Sequence, residues 1–161
     1  MTVARGNLLD PFRTHLPDDL NADLDTMLDG LQSAGRTIGR TPANFGLAHL
    51  DFKQANTLYR DGEIVAIDFD EFGYSYFLQD VATGLNGPSW EDGYEPVRSA
   101  FLQGYRAHRP LEHEELIPLL QAGRCGEILL DSLQHASREG VWFAWQHMRV
   151  AMGMAEMTPP E

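Results

Sequence analysis

The sequence predicts an α+β chain, mostly helical, built around one central β-hairpin. Three observations carry this. Apolar residues recur at helical spacing before residue 35 and again after residue 76. Strand-like runs occupy only the stretch from residue 45 to residue 69. Between two of those runs lies Asp61-Gly62, a two-residue turn whose members tolerate the positive φ that a tight hairpin requires.

The elements follow in order. Residues 1–17 hold scattered apolar fragments and two prolines, and read as an irregular lead-in. Pro17-Asp18-Asp19 is a helix start with acids at the positive end of the dipole. Leu20, Leu24, Met27, Leu28 and Leu31 then fall on one helical face, and Gly35 is the expected C-cap. Thr41-Pro42-Ala43-Asn44 is a connector. Residues 45–50 form a short apolar run, 56–60 and 63–69 are the hairpin strands, and 76–85 read as a helix. Ser89 is a candidate N-cap, with Asp92 three residues on and a stripe of Tyr94, Val97, Phe101 and Tyr105 behind it. Pro110 ends that helix. Residues 112–134 and 138–155 are two further helices, the last with a stripe of Val141, Trp145, Met148 and Met152 suited to core or dimer packing. The domain plan is therefore 1–17 lead-in, 18–155 one domain, and 156–161 tail.

Composition narrows the function. At 161 residues and 43% hydrophobic content the chain can bury a core of its own. The net charge of −12 argues against nucleic-acid binding, which needs a basic footprint, and suits a cationic partner. No apolar run nears the ~20 residues that cross a membrane. The first residues lack the apolar region of a secretory signal, which points to the cytoplasm. Cys125 is the single cysteine, has no internal disulfide partner, and reads as a small core residue. Lys53 is the single lysine among twelve basic residues.

Two segments flanking the hairpin carry the chemistry. His49-Leu50-Asp51-Phe52-Lys53-Gln54-Ala55-Asn56 fits H-x-D-x-x-x-x-N, the catalytic-loop pattern of protein kinases. Ile67-Asp68-Phe69-Asp70 places an aspartate where kinases keep the metal-binding Asp of Asp-Phe-Gly. Phosphoryl transfer asks for a held hydroxyl and cations over the phosphates. A carboxylate on a fixed loop can accept the hydroxyl proton, and amide and carboxylate oxygens suit Mg²⁺. An antiparallel hairpin sets its two ends side by side, so Asp51 and Asn56 can face Asp68.

Together with Phe45-Gly46-Leu47-Ala48 before the loop, Glu71-Phe72-Gly73 after it, and Leu78-Gln79-Asp80-Val81-Ala82, these segments resemble the aminoglycoside phosphotransferase family, related to choline kinases. Phe101-Leu102-Gln103-Gly104-Tyr105-Arg106-Ala107-His108-Arg109-Pro110 resembles a helix end of that family. The resemblance implies a protein-kinase-like C-lobe with a central catalytic β-hairpin. Asp51 would be the catalytic base, Asn56 and Asp68 would bind Mg²⁺, His49 would brace the loop, and Asp70 would support the metal or face the acceptor. Asp80 matches an aspartate that anchors the loop backbone, or is an ordinary helix acid. The implied cofactors are Mg²⁺ and ATP, and the implied partner is a small molecule offering a hydroxyl.

The sequence also departs from the family. Leu50 and Ala55 stand where glycine is usual. Lys53 stands two residues after the base, where it can neutralise the transferring γ-phosphate or serve as a surface lysine. No glycine-rich phosphate loop of either kind occurs, and with Lys53 the lone lysine no strand lysine is available to clamp ATP. The N-lobe is therefore expected to be absent and phosphoryl transfer weak. The competing expectation is a non-catalytic binding module built on the same lobe. Either form exposes apolar surface near the hairpin, so a homodimer is expected. Trp90, Glu91, Asp92 and Glu95 read as a helix cap, or as acids for a cationic acceptor. His113 among Glu112, Glu114 and Glu115 lacks metal-site spacing and reads as a solvated face.

Overall fold

The computed structural model describes residues 8–86 and 93–154. Its contacts divide the chain into two compact units, Met1–Thr37 with Pro118–Glu161, and Ile38–Ile117. Among the described residues no helix is long and apolar enough to cross a membrane.

The first unit is helical. A short helix α1 (Asp10–Arg13) occupies part of the stretch read as irregular, with Pro11 in its first turn. Helix α2 (Asp18–Ile38) begins at the predicted acids but runs through Gly35 and ends at Ile38, before Gly39, whose φ is 65°. Tertiary burial of Ala34 and Ile38 on the last turns outweighs the ~1 kcal/mol that a mid-helix glycine costs. The other helices of this unit are α5 (Ile117–Gln134) and α6 (Arg138–Ala151). The core joins Leu20, Leu24 and Met27 of α2 to Ala122, Cys125 and Leu129 of α5 and Ala144 and Met148 of α6. Cys125 is thus a core residue, as its type suggests. Gly126 lies so close to Met27 that a Cβ there would meet the Met27 methyl at 2.8 Å. Buried Asp23 accepts a hydrogen bond from Trp145 Nε1 at 2.7 Å and faces Arg149 Nε at 3.5 Å. Ser137 caps α6 by accepting from the Gly140 amide.

The second unit holds the strands. β1 (Phe45–Ala48) pairs antiparallel with β4 (Gly73–Tyr76), and β2 (Thr57–Arg60) pairs with β3 (Glu63–Ala66). Asp61 and Gly62, at φ 52° and 85°, make the predicted tight turn. The sequence reading passed over β4, and it is β4 that continues directly into α3 (Phe77–Asn86). Gly46 is required where it stands, because a Cβ there would meet the Phe77 ring at 2.7 Å.

Helix α4 (Tyr94–His108) follows Gly93, whose φ is 89°. The Ser89 cap, the 156–161 tail and Trp90, Glu91 and Asp92 lie outside the described residues. Along α4 the buried residue is Leu102, while Val97 of the expected stripe is exposed. The expected helix over 112–134 opens instead as a 3-10 turn, Glu114–Leu116, before α5. Glu114 there ties back to α4 through Arg98 at 2.9 Å and through Arg106.

Candidate active site

β1 delivers the chain to His49-Leu50-Asp51, and a 3-10 turn, Gln54–Asn56, returns it to β2. His49, Asp51 and Asn56 are all buried, which is unusual for polar groups unless each is hydrogen-bonded. Each is. The His49 and Leu50 amides donate to the two carboxylate oxygens of Asp80, at 2.8 and 2.7 Å. Asp80 sits one turn into α3, so the helix holds the loop by its backbone. Leu50 takes φ 69°, the left-handed conformation that its sequence neighbourhood would normally reserve for glycine.

His49 links the two ends of the hairpin. Its Nε2 donates to Ile67 O at 2.9 Å, and its Nδ1 accepts from the Asp51 amide at 3.4 Å. One tautomer serves both bonds, with the proton on Nε2. The Ile67 amide donates to Asn56 O at 2.9 Å. Ile67 is therefore held at both its polar backbone atoms. The His49 ring also packs against Phe69 at 4.4 Å and Phe52 at 5.9 Å between centroids.

Asp51 is the focus. Lys53 Nζ reaches its Oδ2 at 2.7 Å and Asn56 Nδ2 donates to the same oxygen at 2.8 Å. The second Asn56 N–H donates to the Asp51 carbonyl at 3.0 Å. With both amide hydrogens used on Asp51, the Asn56 carbonyl oxygen points away from it and stays available as an acceptor.

The remaining candidates sit outside this cluster. Asp68 is exposed, at φ 63°. Asp70 is exposed in the turn closed by the Phe72 amide on Phe69 O. Glu95 is exposed on α4, and His113 faces Glu115 at 3.6 Å. Among the described residues no group of three His, Cys, Asp or Glu side chains converges to hold a metal ion. The oxygens on offer are the Asn56 amide and the Asp68 carboxylate. Such a sparse, all-oxygen set fits Mg²⁺, which keeps several waters and phosphate oxygens in its shell.

Sequence reasoning did not single out Ile67, whose role rests on its backbone. Nor did it find Phe52 and Phe69 as a clasp on His49, although both flank the motif acids. Behind the loop, burial pushes the Tyr105 phenol up from its usual 10.0; Arg109 pulls it down and the Asp80 charge pushes it up.

The helices, the two short strand pairs and the loop they carry have the arrangement of the helical lobe of a protein-kinase-like fold. The chain belongs to the phosphotransferase enzyme family, whose model matches residues 6–115. It is 26% identical over 133 residues to the amicoumacin kinase of Bacillus subtilis (strain 168), a match spanning 77% of this chain and 39% of that protein. It is similar to a solved amicoumacin kinase in complex with AMP-PNP, Ca²⁺ and Ami, with TM-score 0.69 and 25% identity over 91% of this chain and 48% of that one. It is equally similar to a microcompartment-associated aminopropanol kinase, with TM-score 0.69 and 25% identity over 84% of this chain and 44% of that one. The chain thus spans half or less of the length of these relatives.

Proposed function

We propose that this chain carries the acceptor-side and metal-side groups of an ATP- and Mg²⁺-dependent phosphotransferase that acts on a hydroxyl of a small molecule. The observation that supports it is the meeting of Lys53 Nζ and Asn56 Nδ2 on one oxygen of buried Asp51. Two donors on one oxygen fix the carboxylate, as a base that must meet a hydroxyl at a set angle requires. Asp51 accepts the hydroxyl proton while the hydroxyl oxygen bonds to the γ-phosphorus. The bond from that phosphorus to the bridging oxygen breaks, and ADP leaves. Lys53 offers its ammonium to the charge on the transferring phosphoryl. Bound Mg²⁺ supplies further charge neutralisation, and Asn56 Oδ1 and Asp68 are the groups to hold it, with Asp70 in support. His49 and Asp80 position the loop.

The acceptor we infer is a small alcohol that also bears a cation. The net charge of −12 favours it, and the name of one relative, an aminopropanol kinase, denotes an amino alcohol.

Base catalysis by Asp51 is worth ~10²–10⁴ in rate. Positioning of ATP normally supplies much of the rest, and the described residues hold no glycine-rich strand pair to do so. Transfer by the chain alone is therefore slow. One observation favours a second reading, a non-catalytic interaction module. Leu58, Tyr59, Ile64 and Val65 leave both faces of the β2–β3 hairpin exposed and apolar. A second copy of the chain is the partner we assign to that surface.

Calorimetric titration with Mg-ATP, on the chain as it stands and on Asp68→Ala, tests the first reading. Binding that the substitution abolishes supports a nucleotide site. Silence at millimolar Mg-ATP removes it and leaves the module.

A further inference from the structure

A recess of about 330 Å³ lies in the second unit, among the residues that lead into β1, the start of α3 and the end of α4, and its lining does not include Asp51. Its size is within the range of small-molecule sites, and its lining has the usual character of one, apolar walls with a few polar groups. Ile38, Leu78 and Leu111 supply apolar wall, and Phe77 supplies an aromatic one.

The polar groups are preset. Arg109 lies over the Phe77 ring at 4.0 Å, and its Nη1 donates to the Ala43 carbonyl at 3.1 Å. That contact uses one of the five guanidinium N–H donors while fixing the plane of the group. An arginine already ordered loses little side-chain freedom on meeting a ligand, so its remaining donors bind at lower cost. Tyr105 lines the same recess. Burial holds its phenol above the usual 10.0, so it keeps its proton and remains a donor throughout the neutral range.

We propose that this recess is a binding site for a small aryl carboxylate, with the carboxylate paired to Arg109 and the ring against Leu78 and Leu111. A fixed, planar, bidentate donor selects a planar anion over a cation, and the flanking apolar wall selects a ring over a polar body. Exposed Glu112 at the rim adds to the bias against a second negative charge, so monoanions are preferred. The site is separate from the phosphotransferase reading, and its test reads binding and not turnover.

The probe is benzoate, with benzylamine as the matched cation, titrated into the full ¹⁵N-labelled chain and followed by amide and guanidinium resonances. A ligand of this size is expected to bind with Kd on the order of 1 mM. Benzoate should shift the Phe77, Leu78 and Leu111 amides and the Arg109 Nε–H saturably, and benzylamine should not. Arg109→Gln should weaken benzoate about tenfold, the usual loss of one charge-assisted contact. Because Arg109 also ties down Ala43, Leu111→Trp gives an independent check: it fills the recess, leaves the guanidinium in place, and should abolish the shifts. No saturable shift at these residues, equal response to benzylamine, or benzoate binding untouched by Leu111→Trp would overturn the proposal.

Discussion

Asp80 accepts the Leu50 amide at 2.7 Å while Leu50 stands at φ 69°, so a carboxylate on α3 holds a branched residue in a left-handed conformation. The other Asp80 oxygen holds the neighbouring His49 amide at 2.8 Å. Left-handed backbone costs a residue with a Cβ roughly 1–2 kcal/mol. A hydrogen bond to a charged group contributes about 1.5–3 kcal/mol, so the two amides together outweigh that strain. The loop that carries Asp51 is thus fixed from behind, before any ligand arrives.

Asp80→Ala is expected to cost about 3 kcal/mol of stability, because two amides lose their acceptor at once. Leu50→Gly in the intact protein should gain about 1 kcal/mol by removing the left-handed penalty, and should gain less in the Asp80→Ala background, where the loop is free to relax. Urea unfolding of the two single variants and the double variant measures the coupling. Strict additivity would show that the carboxylate does not sustain the Leu50 conformation.

Lys53→Met separates the roles of the Asp51–Lys53 pair. The lysine side chain is 46% exposed, so the 2.7 Å ion pair adds little to stability. The unfolding free energy should change by less than about 1 kcal/mol. If Lys53 meets the transferring phosphoryl, Mg-ATP affinity should fall about tenfold in the same variant. Unchanged affinity would return Lys53 to the status of a surface residue.

Tyr105 gives a pH signature. Burial is the chief cause of its raised phenol, the Asp80 charge adds to it, and Arg109 opposes it. The folded chain holds this proton more tightly than the unfolded chain. The resulting stability is complete below the usual 10.0 and is lost as pH climbs through the raised folded value. Urea midpoints should fall as pH rises past 10.0, and Tyr105→Phe should flatten that fall. An identical slope in both proteins would assign the alkaline loss to other groups.

Paired charges on the exposed hairpin test self-association. Tyr59 and Ile64 face each other across β2 and β3 and are 78% and 70% exposed. Tyr59→Lys with Ile64→Glu replaces that apolar pair by an opposite-charge pair that the hairpin accommodates. Light scattering should then show a shift from dimer to monomer at fixed concentration. A wild-type chain that is already monomeric at high concentration would dismiss the dimer.

Much of this architecture is legible in the residues, because it is local. Asp61-Gly62 sets the hairpin by turn chemistry alone, and the spacing of His49, Asp51 and Asn56 fixes which groups share one loop. The acids at 18 and 19 and the leucines behind them mark where α2 starts and which face it buries.

What tertiary structure alone decided is non-local. β4 exists because β1, whose residues lie 28 positions earlier, offers it a partner, and a four-residue strand such as Gly73-Tyr74-Ser75-Tyr76 has no period long enough to declare itself. Helix α2 passes Gly35 because burial of Ala34 and Ile38 outweighs the local cost of a glycine. Asp80 becomes the acceptor for two loop amides only once α3 is set against β1 and β4. Local chemistry thus named the residues of the candidate site, the family resemblance pointed to Asp80, and long-range pairing fixed the backbone on which they are held, because the spacing within either segment does not encode a hydrogen bond between residues 50 and 80.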